Sequence, residues 1–84
     1  MEFKIGQEIS VGVDTTGIIW DLDEERIYIL NWDRNQKIHT RKFIEGMKKI
    51  NYVEVKEEPE DEHMQKIRDE AIDMRMLKML YNEK

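Results

Sequence analysis

The segment Ile27-Tyr28-Ile29-Leu30-Asn31-Trp32 decides the fold, because it is apolar at both alternating positions of an extended chain. Side chains of a β-strand alternate between the two faces of its sheet, so both faces of this strand need cover. We expect the sheet to curl on itself and so to cover one face of this strand. We expect the C-terminal segment, which has helical periodicity, to cover the other face.

The sequence around this segment predicts four further strands, each with alternating and β-branched character. In the second strand we expect Ile18, Trp20 and Leu22 on one face of the sheet. Ile19 and Asp21 then belong to the opposite face. The five predicted strands cover roughly residues 9–13, 18–22, 27–32, 36–43 and 50–55, with a short helical turn over 43–49.

An amphipathic helix is predicted over about residues 60–82. Its apolar stripe recurs at spacings of three and four residues and consists of Met64, Ile67, Ala71, Met74, Leu77 and Tyr81. Pro59 suits the first helical position, where its missing N–H costs nothing. The preceding connection, residues 56–59, belongs to the acidic stretch 54–62, in which six of nine residues are acidic. We expect this stretch to be solvated, because dense like charge repels.

Length and composition exclude several classes of protein. Eighty-four residues suit a single domain over 1–84. The absence of cysteine excludes disulfides, zinc ribbons, thiol nucleophiles and iron–sulfur clusters. No apolar run approaches the ~20 residues that cross a bilayer, and the first residues lack a signal-peptide pattern, so we expect a cytoplasmic protein without membrane partners. Eleven Ile and nine Lys against one Ala are typical of a low-GC bacterium or its phage.

Three local motifs support a specific fold. The first strand opens with glycine in Ile5-Gly6-Gln7-Glu8-Ile9, a glycine precedes the next strand in Thr16-Gly17-Ile18-Ile19, and Trp32 precedes a polar turn. Together with the order of five strands and one helical turn, these motifs resemble SH3-like small β-barrels of the Tudor-like and KOW-like kinds. The resemblance covers about residues 5–55. It implies a mainly β fold, a five-stranded barrel followed by the C-terminal amphipathic helix.

The residues needed for catalysis or metal binding do not occur in suitable patterns. Ser10 lacks a G-x-S-x-G frame, and the four glycines are too dispersed for a phosphate-binding loop. The acidic run 21–25 would put Arg26 where a calcium loop needs glycine. Glu60-x-x-His63 has the spacing of metal ligands in di-iron proteins, but such a site also needs carboxylates from further helices. We therefore expect no enzyme, no cofactor and no metal site.

A basic run between residues 34 and 49 contains six Lys or Arg and one Glu. In an extended strand Lys37, His39 and Arg41 would share one face. This pattern fits a solvated sheet edge whose lysines discourage edge pairing. It also fits a docking surface for an acidic protein or a nucleic-acid site. The pI near 5.0 weighs against a dedicated nucleic-acid binder.

The hypothesis that best fits these patterns is a protein-interaction module, a small bacterial or phage regulator or inhibitor of a host protein. The alternative is a nucleic-acid-binding barrel that uses the basic region 34–49, and a third is a nucleic-acid mimic that uses the carboxylates of 54–73. Surplus apolar surface on the helix, with four of the six methionines, favours a protein partner or a homodimer through the helix. The candidate partner-binding residues are Trp32, Arg34, Lys37, His39, Arg41, Lys42, Met76 and Met79.

Overall fold

A computed structural model describes residues 2–82 and shows a single antiparallel sheet with one helix on each face. Its elements are β1 (Glu8–Val11), β2 (Thr15–Leu22), β3 (Arg26–Asn31), β4 (Gln36–Thr40), α1 (Arg41–Lys49), β5 (Val53–Lys56) and α2 (Glu62–Asn82). The strands lie in the order β4-β3-β2-β1-β5. The predicted five strands and long C-terminal helix are confirmed, and a nine-residue helix replaces the expected short turn.

The expected closed barrel is wrong. Over residues 2–82 the sheet is open, with β4 and β5 at its two edges. The chain between these edges forms α1, whose Ile44 is fully buried against the sheet. This face is therefore covered by a helix and not by closure of the sheet. The buried cluster on it consists of Phe3, Ile9, Val11, Ile19, Ile27, Ile29 and Ile44.

The other face of the sheet is covered by α2, as the two-sided apolar segment 27–32 predicts. The cluster there consists of Ile18, Leu30, Met64, Ile67 and Ala71, with Trp20 and Met74 packed against it. The helix begins at Glu62, and Asp61 caps it by accepting a 3.2 Å hydrogen bond from the N–H of Met64. Pro59 lies three residues before the helix, so its expected place at the first helical position is wrong.

A β-bulge interrupts β2 at Trp20. Up to Ile19 the register with β3 is regular, but Asp21 then pairs with Tyr28, which leaves Trp20 as the extra residue. Trp20 and Asp21 both lie on the α2 face, and Leu22 packs in the cluster under α1. The regular alternation expected for residues 18–22 is therefore wrong at Asp21 and Leu22.

Candidate protein-interaction site

A groove with a volume of about 450 Å³ opens between the turn at residues 12–14, β4 and α1; we call it the α1 groove. Its walls are mostly apolar and include Val13, His39, Phe43, Met47 and Tyr52. Val13 is 94% exposed and Tyr52 is 54% exposed. Large apolar side chains left in water around a concave surface are typical of a binding site.

Backbone hydrogen bonds fix one wall of the α1 groove. After α1 the chain turns through Asn51, which has a φ of 63°. The N–H of Asn51 donates to the carbonyl of Lys48 (3.0 Å), and the N–H of Tyr52 donates to that of Met47 (2.9 Å), which is the Schellman pattern. The N–H of Gly12 donates to the carbonyl of Tyr52 (2.7 Å), so the turn at 12–14 is attached at the same point.

The opposite wall is formed where β4 passes directly into α1. The Thr40 hydroxyl accepts a 3.1 Å hydrogen bond from the N–H of Phe43 and so caps the helix. The Phe43 ring stacks on the His39 ring, with centroids 5.1 Å apart. Burial, together with the nearby charge of Lys37, lowers the pKa of His39 below 6.5. The imidazole is therefore neutral at pH 7, and the wall carries no charge there.

Positive charge lies along α1 beside the groove. The helix carries four basic residues and one acidic residue: Arg41, Lys42, Lys48, Lys49 and Glu45. At 100° per residue, Phe43 and Met47 lie on the groove side, and Lys42 and Lys49 lie on the adjoining outer side. Gly46 lies between these two sides, and the space beside it is open. The apolar walls of the α1 groove therefore use one side of α1 and the lysines occupy its solvent side; among residues 2–82, no Lys or Arg lines the groove itself.

The sequence-predicted candidates Trp32 and Arg34 take part in contacts within the fold. Arg34 has a φ of 69° and forms a two-pronged ion pair with Glu70, at 2.9 and 3.0 Å. This pair lowers the pKa of Glu70 and raises that of Arg34. The carbonyl oxygen of Trp32 lies 2.9 Å from Nε2 of His63. Both residues therefore attach the β3–β4 turn to α2, on the side of the sheet away from α1.

The remaining basic candidates are divided between β4 and α1. Lys37 and His39 lie on the α1 face of β4, as the alternation predicts. Arg41 is the first residue of α1, and its Nε donates a 2.6 Å hydrogen bond to the carbonyl of Asp23. The expectation that Arg41 shares a strand face with Lys37 and His39 is therefore wrong. Lys42 is exposed on α1 and lines a separate pocket with Glu24 and Glu25.

The polarity of α2 reverses along its length, which places Met76 away from the sheet and Met79 beside the pocket lined by Asp21, Arg75 and Lys78. In the first turns, buried apolar residues face the sheet: Met64, Ile67 and Ala71. In the last two turns Arg75 and Lys78 take the sheet-facing positions. Arg75 Nη1 lies 2.5 Å from Oδ1 of Asp21, and Lys78 Nζ bonds Oδ2 of the same carboxylate.

The Asp21 carboxylate is buried, and burial alone would raise its pKa. The hydrogen bond from Lys78 and the positive charge of Arg75 outweigh burial, so the pKa of Asp21 is lowered and the group is ionised at neutral pH. The Lys78 ammonium also lies 5.8 and 5.5 Å from the ring centroids of Trp20 and Tyr28. These contacts attach the C-terminal turns of α2 to the bulge.

The apolar residues of these turns are consequently exposed. At least half of the side-chain surface is in water for Met76, Leu77, Met79, Leu80 and Tyr81. The predicted apolar stripe packs against the sheet as far as Met74, but the packing expected for Leu77 and Tyr81 is wrong. We call the apolar line that points away from the sheet the outer face of α2: Ile72, Met76 and Leu80.

No family model, curated protein or solved structure matches this chain. Within residues 2–82, no helix is long and apolar enough to cross a membrane. The same residues contain no group of three or more carboxylate or imidazole side chains placed to hold a metal ion. The function is therefore inferred from the chemistry of the protein's own surfaces.

The apolar walls of the α1 groove could not be predicted from the sequence. Val13, Phe43, Met47 and Tyr52 come from different elements and follow no period, so the fold alone brings them together. The one local signal is Asn51, because asparagine tolerates the left-handed conformation that ends many helices. That signal predicts the turn after α1 but not the partners of Tyr52.

Proposed function

We propose that the protein is a non-enzymatic interaction module that binds an acidic, partly apolar segment of another protein in the α1 groove. Through this binding it acts as a small regulator or inhibitor of that partner. The observation that supports the proposal is the mostly apolar concave surface with exposed Val13 and Tyr52, one wall of which belongs to a helix that carries four basic residues and one acidic residue.

The chemistry of the groove specifies the ligand. A volume of about 450 Å³ suits a few side chains, so one or two aliphatic or aromatic anchors fill it. Carboxylates beside the anchors would be attracted by α1, which carries four basic residues and one acidic residue. Asp14 lines the groove at the 12–14 turn and repels acidic residues there, so the carboxylates of the segment would lie on the α1 side.

Two contacts favour a protein segment over nucleic acid. A single-stranded nucleic acid needs open aromatic faces on which bases can stack. One face of the Phe43 ring is already stacked on His39 and Arg41 is hydrogen-bonded to Asp23, so a base would find little beyond the exposed Tyr52 ring to stack on in this groove. A protein segment needs apolar walls, which the groove has, and the net positive charge of the adjoining α1 would attract acidic residues in it.

A peptide-display selection against the full chain tests this function. We expect the enriched peptides to contain an aliphatic or aromatic anchor flanked by Asp or Glu, with Kd values of about 10–100 μM. Val13→Glu should weaken the best peptide about tenfold or more, because it puts a carboxylate in the apolar wall. Lys42→Glu combined with Lys49→Glu should weaken it and flatten its salt dependence between about 50 and 300 mM.

Matched variants separate the groove from general charge effects. Lys4→Glu combined with Lys66→Glu makes the same charge change at exposed residues outside α1 and should leave peptide binding unchanged. Selection of no peptide, selection of basic peptides, or binding that survives Val13→Glu would each overturn the proposal. Binding of a single-stranded DNA or RNA at micromolar Kd, lost in the Lys42→Glu, Lys49→Glu variant, would assign the nucleic-acid function instead.

A further inference from the structure

We propose that β4 is a docking edge, to which an extended acidic segment of a partner protein adds as a further antiparallel strand of the sheet. Such a segment binds through its backbone and is selected by the side chains that flank the edge. The proposal is separate from the proposed function, because it uses the outward backbone groups of β4, whereas the α1 groove is lined by side chains from several elements.

The hydrogen bonds between β3 and β4 use every second residue of β4. Where the pairing ends, the N–H of Arg41 donates to the carbonyl of Glu25 at 2.8 Å. Because antiparallel strands exchange hydrogen bonds at alternate residues, His39 and Lys37 face β3 in the same way. The residues between them therefore direct their backbone groups away from β3.

The outward row of β4 consists of the N–H and carbonyl groups of Gln36 and Ile38 and the N–H of Thr40. β4 is the last strand of the sheet, and within residues 2–82 no other strand pairs with this row. Its donors and acceptors are complementary to the backbone of another extended chain. Over residues 36–40 the strand contains neither a proline nor a bulge, two devices by which edge strands avoid such pairing.

The side chains of β4 specify the chemistry of the added strand. Ile38 is 55% exposed on the α2 face, so an apolar residue opposite it would cover apolar surface. Lys37 lies on the α1 face, and no carboxylate among residues 2–82 forms an ion pair with it. A carboxylate beside Lys37 would form an opposite-charge pair across the two strands. Apolar and acidic residues therefore alternate in the segment that fits.

Charge distinguishes the β4 edge from the β5 edge at the other side of the sheet. β5 and the two residues after it carry Glu54, Glu57 and Glu58 against Lys56, so an acidic segment is repelled there. A second copy of β4 is also a poor occupant. Pairing of two copies around Ile38 would bring two α1 helices, each with four basic residues and one acidic residue, to the same face of a joined sheet.

Amide hydrogen exchange, measured by NMR on the full chain, tests the edge. The probe is a capped peptide of about seven residues in which glutamate and valine alternate, with valine at its centre. Saturating peptide in about 50 mM salt should slow exchange of the Ile38 N–H about fivefold or more. The N–H groups of Lys37 and His39 already face β3 and should change by less than about twofold. A peptide with lysine in place of glutamate should have no effect.

Variants of β4 separate backbone pairing from side-chain effects. Ile38→Pro removes an N–H that faces solvent, so the sheet keeps its own hydrogen bonds and the edge loses a donor. Its peptide Kd should rise about tenfold or more, whereas Ile38→Val keeps the N–H and should change the Kd by less than about threefold. Lys37→Glu should raise the Kd about threefold or more. Lys66→Glu, the matched charge change on exposed α2, should leave it unchanged.

Methylation of the peptide backbone tests the pairing without changing the protein. N-methylation of the valines removes the donors that face β4 in an antiparallel pair and should abolish binding, whereas N-methylation of the glutamates should not. Unchanged exchange at Ile38, binding that survives Ile38→Pro with unchanged circular dichroism, or equal effects of the two methylated peptides would each overturn the proposal.

Two further outcomes would assign the binding elsewhere. Slowed exchange at Ile38 in the concentrated chain without peptide would show that a second copy occupies the edge, and would overturn the acidic partner. Binding lost in Val13→Glu but kept in Ile38→Pro would place the peptide in the α1 groove. The docking edge would then be refuted and the proposed function would stand.

Discussion

The carboxylate of Asp21 is bonded to the guanidinium of Arg75 at 2.5 Å, across 54 residues of chain. One partner follows a bulge in β2 and the other lies in the fourth turn of α2. With Lys78 on the second carboxylate oxygen, this contact decides which side of α2 faces the sheet. The apolar outer face of α2 is a consequence of this buried charge.

Asp21→Asn should destabilise the protein by about 1–3 kcal/mol, because it removes the charge that pairs with Arg75 and Lys78. Urea unfolding measures the change. Amide hydrogen exchange should accelerate over residues 75–82, where the helix loses its attachment. Asp14→Asn, at an exposed turn residue, should change stability by less than about 0.5 kcal/mol. Equal stability of the two variants would contradict this role for Asp21.

The stability of the protein should fall as the pH is lowered from about 7.5 to about 5.5. The pKa of His39 is lowered below 6.5 in the folded state by burial and by Lys37. The unfolded chain therefore takes up this proton first, and acidification favours unfolding until the pH passes the lowered folded pKa. Urea unfolding of His39→Phe should show a smaller loss over the same interval, and an identical loss would exclude His39 as its source.

Gly17→Ala should destabilise the protein by about 1–3 kcal/mol. A Cβ at this position would lie 2.7 Å from Cγ2 of Ile29 and 2.8 Å from Cα of Asn31, with the Leu30 carbonyl oxygen closer still. Gly46→Ala is the control, for which we expect the opposite change in stability. The space beside Gly46 is open, and alanine in a helix should stabilise by about 0.5–1 kcal/mol. Thermal unfolding should show a lower Tm for Gly17→Ala and a higher Tm for Gly46→Ala than for wild type.

Asn51→Gly should raise the thermal stability by up to about 1 kcal/mol, because Asn51 has a φ of 63° and glycine adopts that conformation without steric cost. Asn51→Val should lower the stability by more than about 1 kcal/mol. Such changes shift the Tm of a domain of this size by about 4–8 °C per kcal/mol. A lower Tm for Asn51→Gly than for wild type would contradict the left-handed backbone conformation of Asn51.

The parts of the fold that follow from local periodicity could be predicted from the sequence. Because segment 27–32 is apolar on both sides, we predicted that both faces of the sheet are covered, and this is correct. The spacing of Met64, Ile67 and Ala71 predicted the helix that covers one of these faces. The predicted barrel was wrong, because periodicity does not distinguish a sheet that closes on itself from an open sheet that is covered by a helix. Here the helix is α1, which contributes Ile44 to the core.

The candidate site was less predictable because it depends on contacts between distant residues. The basic run 34–49 suggested one continuous cationic face, but Arg34 is paired with Glu70 and Arg41 with the Asp23 carbonyl. The apolar walls of the α1 groove come from separate elements. The outer face of α2 follows from the position of Asp21, which a regular alternation of residues 18–22 places on the wrong side.

The bulge at Trp20 allows the two parts of β2 to keep their own pairing with β3. Without Trp20, the pairs Ile19–Ile29 and Asp21–Tyr28 would follow one another directly, so Asp21 would still face the cations of α2 and Leu22 would still face the cluster under α1. A one-residue deletion at position 20 should therefore keep the register of the sheet and lose only the packing of the indole, whereas a one-residue deletion between Ile27 and Asn31, where the pairing has no extra residue to lose, would turn part of that strand over.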